Sequence, residues 1–332
     1  MLGCYLLAGQ PDSSRDLVDE VRVAEQLGLD AAFISERYNK KEAAVLSGAA
    51  GAVSDRIRIV TAATNHNTRH PMVTAGFART MQSLTGGRFT LGLGRGVVAM
   101  QDAYGIPHVT TRELEEFAGL LRRLFRGEVV FDWPGAPVLH LDGGLDEHLP
   151  LCLTAFGDKT LELAGRAFDD VVLHTYFTDD VTRHCVEVAK SAAADAGREI
   201  RVWSCFATVP DGLPEAVRLK KTVGRLGTYL QGYGDLLVRT NRWDPLVLKR
   251  FLEDEVIRSV AGLDIVGTPD QLEHARTLIP DEWFAASATG TPEQCAEAVR
   301  GQLALGCDGV ILHGCTPTEL EPVVRALRPV SG

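Results

Sequence analysis

Residues 56–96 read RIRIVTAATNHNTRHPMVTAGFARTMQSLTGGRFTLGLGRG, and this stretch decides the fold class. Residues 56–63 are a short apolar run in which Ile57, Ile59 and Val60 supply the β-branched side chains of a strand. Pro71 then sits near the first turn of a helical stretch over residues 71–84, where its missing N–H costs little. Residues 88–94 form a second apolar run. Strand, helix and strand in succession make a βαβ unit, whose crossover is right-handed and whose strands are parallel.

The same alternation continues in both directions. Strands are expected over residues 2–8, 31–35, 149–155, 170–174, 200–209 and 306–313. Helices are expected over residues 13–27, 40–53, 111–125, 159–166, 179–196, 292–305 and 319–327. In the first helix, Leu17, Val18, Val21, Ala24 and Leu27 share one face, Ser13 or Ser14 caps the start and Gly28 stops the end. Eight strand–helix units in order predict the α/β class, as a (β/α)₈ TIM barrel whose functional residues gather at the C-terminal ends of its strands. Residues 132–149, rich in turn formers, read as a short hairpin-like excursion. Residues 210–290 are helical in character and too long for a plain loop. They read as a helical insertion after strand 7 in one domain covering residues 1–332, the alternative being a separate second domain.

Composition narrows the function. The chain has 332 residues, 45% hydrophobic and 23% charged, with a formal net charge of -10. It is long enough to bury a core without staples. No long Lys/Arg block is present, so nucleic acid is not an expected partner. No apolar stretch approaches the ~20 residues that span a bilayer, so no membrane contact is expected either. Residues 1–7 are apolar but lack a basic leader, and the expected location is cytoplasmic. The seven cysteines are odd in number and form no C-x-x-C pair, which argues against a disulfide framework or structural zinc. No metal site is expected.

Several segments, taken together, resemble the luciferase-like monooxygenase family, especially its deazaflavin-dependent branch. They are residues 24–36 (AEQLGLDAAFISE), 59–71 (IVTAATNHNTRHP), 84–96 (LTGGRFTLGLGRG), 153–160 with 164–166 (LTAFGDKT, AGR), and 288–293 (ATGTPE). They span almost the whole barrel in the family's order. The resemblance implies a TIM-barrel oxidoreductase binding either coenzyme F420 or FMN. The run Ala63-Thr64-Asn65 followed by Thr68-Arg69-His70-Pro71 is closer to the F420 branch. It also implies a non-proline cis peptide near Ala62–Ala63 beneath the ring, and a homodimer.

Site expectations follow from these positions. Ala62 and Ala63 are small enough for a planar ring to lie against backbone, and Thr64 and Asn65 are placed to bond its polar edge. Gly157, Asp158, Lys159 and Thr160 lie at a strand-to-helix junction, where free N–H groups and the helix dipole suit a phosphate. By resemblance they hold the cofactor's phosphate arm. Glu36 ends strand 2, and His66, Tyr38, His174 and His313 lie at or near strand ends. Glu36 and His66 are taken as the catalytic candidates. Two departures bear on this choice: related dehydrogenases carry His where this chain has Arg37, and Glu where it has Val97. The expected reaction is hydride transfer between F420 and an unidentified small organic substrate. The alternatives are an FMN-dependent monooxygenase, a non-catalytic flavin-binding barrel, and a phosphate-handling isomerase or aldolase.

Overall fold

The computed structural model describes residues 1–8, 13–145 and 147–328. Nine strands form one parallel sheet: β1 (Leu2–Tyr5), β2 (Ala31–Ile34), β3 (Arg58–Thr61), β4 (Phe89–Leu93), β5 (Leu151–Thr154), β6 (Asp170–Val172), β7 (Arg201–Pro210), β8 (Ala288–Gly290) and β9 (Gly309–His313). The order is β6-β5-β4-β3-β2-β1-β9-β7-β8, and β6 also pairs with β7. Eight strands therefore close into a barrel, as the alternating pattern predicts, with β9 as the eighth. The extra strand β8 lies outside the ring. It pairs with the far end of β7, Thr208 with Ala288 and Pro210 with Gly290.

The crossovers carry α1 (Leu17–Gln26), α2 (Ala43–Ala52), α3 (Pro71–Thr85), α4 (Val98–Tyr104), α5 (Thr111–Phe125), α6 (Asp158–Ala167) and α7 (Asp179–Asp195). Between β7 and β8 run α8 (Glu215–Leu219), α9 (Arg225–Asn241), α10 (Pro245–Glu253), α11 (Glu255–Arg258), α12 (Leu263–Val266), α13 (Pro269–Leu278) and α14 (Asp281–Phe284). The chain then returns through α15 (Pro292–Ala304) and ends with α16 (Pro317–Leu327). Three of these helices start alike. Thr268, Thr291 and Thr316 each cap a helix with Pro at the next position, and the glutamine or glutamate two residues further returns the bond to the cap's own N–H. The sequence reading has no counterpart for α4 or β8. In the excursion after α5, Val130 and Leu139 exchange two backbone bonds of 2.8 Å, a single antiparallel bridge.

Two apolar clusters hold the barrel. The larger packs the helices on the outside of the strands. The smaller fills the lumen with Tyr5, Phe33, Val60, Ala62, Val172, Trp203 and their neighbours. Phe33 meets Trp203 edge-on at 5.1 Å and Tyr5 lies 5.9 Å from Phe33, so aromatic rings stack up the lumen. Beneath them Asp170, whose side chain is 2% exposed, accepts from Arg201 at 2.7 and 2.6 Å and from the Trp203 indole at 3.0 Å. A buried carboxylate is tolerable only with its partners in place. Asp170→Ala should therefore cost about 3 kcal/mol, the low end of the range for breaking a buried pair, because Arg201 is partly solvated. Denaturant unfolding measures this, and a loss below about 1 kcal/mol would show that the plug does not hold the barrel floor.

Candidate active site

A cavity of about 790 Å³ opens at the C-terminal ends of the strands. Its wall on the β3 side follows from two glycines. An ideal Cβ on Gly92 would lie 1.6 Å from the Thr61 carbonyl oxygen, and one on Gly94 would lie 2.9 Å from the Ala63 Cβ. With neither present, β4 comes directly against the end of β3. Thr61 Oγ1 donates to the Gly92 carbonyl at 2.9 Å, Thr64 N–H donates to the same carbonyl at 2.9 Å, and Gly94 N–H donates to Thr64 at 3.0 Å. The Ala62–Ala63 peptide is cis. Its carbonyls are held from both sides, Ala62 by the Tyr5 hydroxyl at 2.9 Å and Ala63 by the Glu36 N–H at 3.1 Å. Ala62, Ala63 and Gly94 thus present a wall of small residues to the cavity.

The sequence candidates separate on this geometry. Ala62, Ala63 and Asn65 line the cavity, and Asn65 donates to the Gly94 carbonyl at 2.7 Å. Thr64 lies fully buried behind them. Glu36 lines the cavity, but both its oxygens are engaged. Arg69 grips it at 2.8 and 3.2 Å, and the Thr64 hydroxyl donates to it. The arrangement fixes the β2 and β3 ends to one another, and the Arg69 guanidinium neutralises the carboxylate, which suits Glu36 to holding the wall in place. His66 does not reach the cavity lining. Its ring stacks on Phe117 with centroids 4.6 Å apart. Of the four candidates at the β5 end, Thr160 lines the cavity, along with Thr154, Ala155 and Phe156 before it, while Gly157, Asp158 and Lys159 are exposed. Gly157 offers α6 no side-chain cap, and Asp158 turns to His184 at 3.0 Å. Tyr38 packs edge-on against Tyr104. Arg37 and Val97, the two departures from related dehydrogenases, both line the cavity.

Other functional side chains were not picked out from sequence. Arg225, Tyr229 and Tyr233 fall four residues apart on α9 and all line the cavity. A π turn over Lys220–Gly224 leads into this helix, and Tyr233 departs from helical geometry within it. Arg225 is paired with Asp264 of α12 at 2.7 Å, both buried. The four-residue spacing of Arg225, Tyr229 and Tyr233 puts them on one helix face, the signal that could have grouped them, though it does not say which way that face turns. His174 and His313, named from the sequence at strand ends, also line the cavity. His174 sits among Phe156, Phe177, Tyr229 and Tyr233. Its Nδ1 meets the Thr175 carbonyl at 2.9 Å, so that nitrogen carries the proton and Nε2 is the acceptor. Burial pulls the imidazole down to about 4, only partly opposed by that bond. His313 Nε2 faces the Tyr229 hydroxyl at 3.3 Å. Burial first, then the charges of Arg225, Arg37 and Lys41, hold His313 well below the usual histidine range. Both rings are neutral at pH 7. Among the described residues no group of His, Cys, Asp and Glu is arranged to hold a metal ion, all seven cysteines are buried and unpaired, and no helix is long and apolar enough to cross a membrane.

The model of the luciferase-like monooxygenase family matches residues 2–309. The chain belongs to that family. Among known members, it is 25% identical to a 5,10-methylenetetrahydromethanopterin reductase of Methanolobus tindarius, over 92% of each chain. The coenzyme F420 dependent tetrahydromethanopterin reductase of Methanopyrus kandleri superposes with a TM-score of 0.80 at 20% identity, covering 98% of this chain and 97% of that one. An F420-dependent secondary alcohol dehydrogenase bound to an F420-acetone adduct superposes at 0.73 and 17% identity over 99% of both. The luciferase-like barrel is thus shared along its full length.

The two histidines set an acid limb for stability. A histidine whose folded value lies near 4 against an ordinary 6.5 contributes stability that is complete above about pH 6.5 and is lost as pH falls toward 4. His174→Gln should flatten that limb relative to the parent protein. Urea midpoints measured from pH 8 to pH 4 check this, and superimposable curves would place the His174 titration elsewhere.

Proposed function

We propose that this protein is a coenzyme F420-dependent oxidoreductase that moves a hydride between the deazaflavin ring and a small organic substrate. The observation that carries the reading is the small-residue wall of Ala62, Ala63 and Gly94, beside a cavity large enough for ring and substrate together. Full-length likeness to F420-dependent reductases supports it. Asn65 would meet the ring's polar edge. The phosphate arm would reach the start of α6, where Thr160 faces the cavity, Lys159 adds a positive charge and the first N–H groups have no side-chain cap. When bound, the deazaflavin supplies a two-electron hydride carrier that is poor at activating oxygen.

The chain's own residues do the rest. Glu36, Arg69 and Thr64 act as a positioning network that keeps the wall flat against the ring. His174, its Nδ1 proton held by Thr175, offers Nε2 to a substrate hydroxyl and orients the carbon that exchanges hydride. It takes the place that the sequence reading gave to His66. Tyr229 and Tyr233 cover the opposite side and exclude water. The working unit is one domain whose helical insertion, residues 210–290, shapes the substrate pocket. By family resemblance that unit is a cytoplasmic homodimer.

Titration of the purified protein with F420 and, separately, with FMN tests the cofactor. F420 should bind selectively, and Lys159→Glu should weaken F420 about tenfold while leaving the phosphate-free deazaflavin unaffected. Selective FMN binding would make the protein an FMN-dependent monooxygenase instead, and binding of neither would end the cofactor assignment.

A further inference from the structure

The protein is acidic overall, but the charged lining of the cavity has the opposite sign. Arg37, Lys41, Arg95 and Arg225 face Glu36 and Asp102, and Glu36 is already neutralised by Arg69. Three of the cations lie on one side. Lys41 is buried and its ammonium donates to the Leu7 carbonyl at 3.0 Å, at the end of β1. Arg37 is bridged to Lys41 through the backbone, Arg37 N–H to the Lys41 carbonyl at 3.0 Å. Arg225 reaches in from α9, and the charges of all three act on His313 at the end of β9. Asp264 balances Arg225, but among the described residues no carboxylate forms an ion pair with Arg37 or Lys41. Glu20 acts on Lys41 without forming an ion pair, being bonded to the Leu7 N–H, and a buried cation so incompletely balanced is stabilised when a ligand brings further negative charge.

Resting on the hydride-transfer reading above, we infer that the substrate carries an anionic group, a carboxylate or a phosphate monoester, held by Arg37, Lys41 and Arg225. The barrel order argues that this anion is not the cofactor's own arm. β1 and β5 stand four strands apart in a ring of eight, so the cations beside β1, β2 and β9 lie across the mouth from the α6 start that follows β5. The ring wall at Ala62–Ala63 lies between the two. A substrate anchored by its anion on the β1 side therefore brings its remaining carbons toward the ring and toward His174. The class of substrate is a small hydroxy or oxo compound with one anionic end.

The cluster also makes the affinity depend on pH. Lys41 faces Arg37, Lys40 and Arg225 as like charges, and Glu20 as an opposite one. Its burial first, and then Arg37, bring the ammonium down to about 8. A bound anion favours the charged form, so binding above that pH takes up a proton and affinity falls as pH rises through 8.

The test titrates protein saturated with F420, and the cofactor-free protein in parallel, with inorganic phosphate and separately with acetate, by calorimetry. The wild type should bind one of the two saturably. Arg37→Gln, at a partly solvated position that does not endanger folding, and Lys41→Met should each weaken that anion about tenfold or more. Affinity for F420 should stay unchanged, and Lys41→Met should lose the decline above pH 8. Preference for phosphate would identify a phosphate monoester, and preference for acetate a carboxylate. Absence of saturable anion binding in both forms would overturn the inference with the cofactor reading intact. Variants that weaken F420 but not the phosphate-free deazaflavin would overturn it too, by assigning the cations to the cofactor's arm. Anion binding by a protein that does not take F420 would uphold the anion site and remove the cofactor reading alone.

Discussion

At Gly92 the carbonyl of Thr61 occupies the space that any side chain would need. This approach of two backbones brings the end of β3 onto β4, and the rest of the barrel mouth depends on it. It fixes Thr61 and Thr64 to Gly92, sets Ala62 and Ala63 against the cavity, and brings Glu36 within reach of Thr64 and Arg69. The wall is therefore made of backbone and methyl groups, whose positions are set by ladder bonds and not by rotamers. A planar cofactor needs such a surface, because a side chain long enough to move would also be long enough to intrude.

The opposite side of the cavity is built in another way. Arg225, Tyr229 and Tyr233 come from a helix that leaves ideal geometry twice, through the π turn before Arg225 and at Tyr233 itself. These side chains are held by contacts between elements, such as Arg225 with Asp264 and Tyr229 with His174 and His313. Desolvation leaves the imidazoles neutral, so their role toward a ligand is to accept or donate a hydrogen bond without supplying charge. The charge comes from Arg37, Lys41 and Arg225. A surface rich in carboxylates encloses a cavity of opposite sign, and a field of that shape concentrates small anions at its mouth.

The barrel was legible because its signals are local. Apolar runs, the helix-opening prolines and the glycine stops are set by neighbours in sequence, and the TIM barrel followed from them, whereas the luciferase-like family came from the resemblance of whole segments such as residues 59–71 and 84–96. The helical segment after strand 7 could be read as helical, but not the fact that its residues 225, 229 and 233 turn inward, since their apolar and polar partners are far apart in the chain. His66 illustrates the converse limit. Its position just past a strand end suggested the mouth, but the turn His66–Thr68 carries it outward onto Phe117. Glu36 lay where expected and Arg69 stood in the quoted run 33 residues later, but only the fold reveals that the two neutralise each other. The short helix α4 escaped because Gly96 and Gly105 bracket a stretch with little apolar periodicity.

The pairing of β8 with the far end of β7 has a consequence for how this fold can diversify. Residues 208–210 and 288–290 run side by side, and the Asp211 N–H closes on the Gly290 carbonyl at 2.7 Å. The two ends of the seven-helix segment are thus clasped together before it departs from the barrel. Whatever is placed between them meets the same pair of anchor points, and the closure entropy of a longer or shorter replacement changes only slowly with its length. The segment is in effect an exchangeable cassette. Recombination or grafting between relatives could swap the side of the mouth that carries Arg225, Tyr229 and Tyr233 while the wall of Ala62, Ala63 and Gly94 stays untouched.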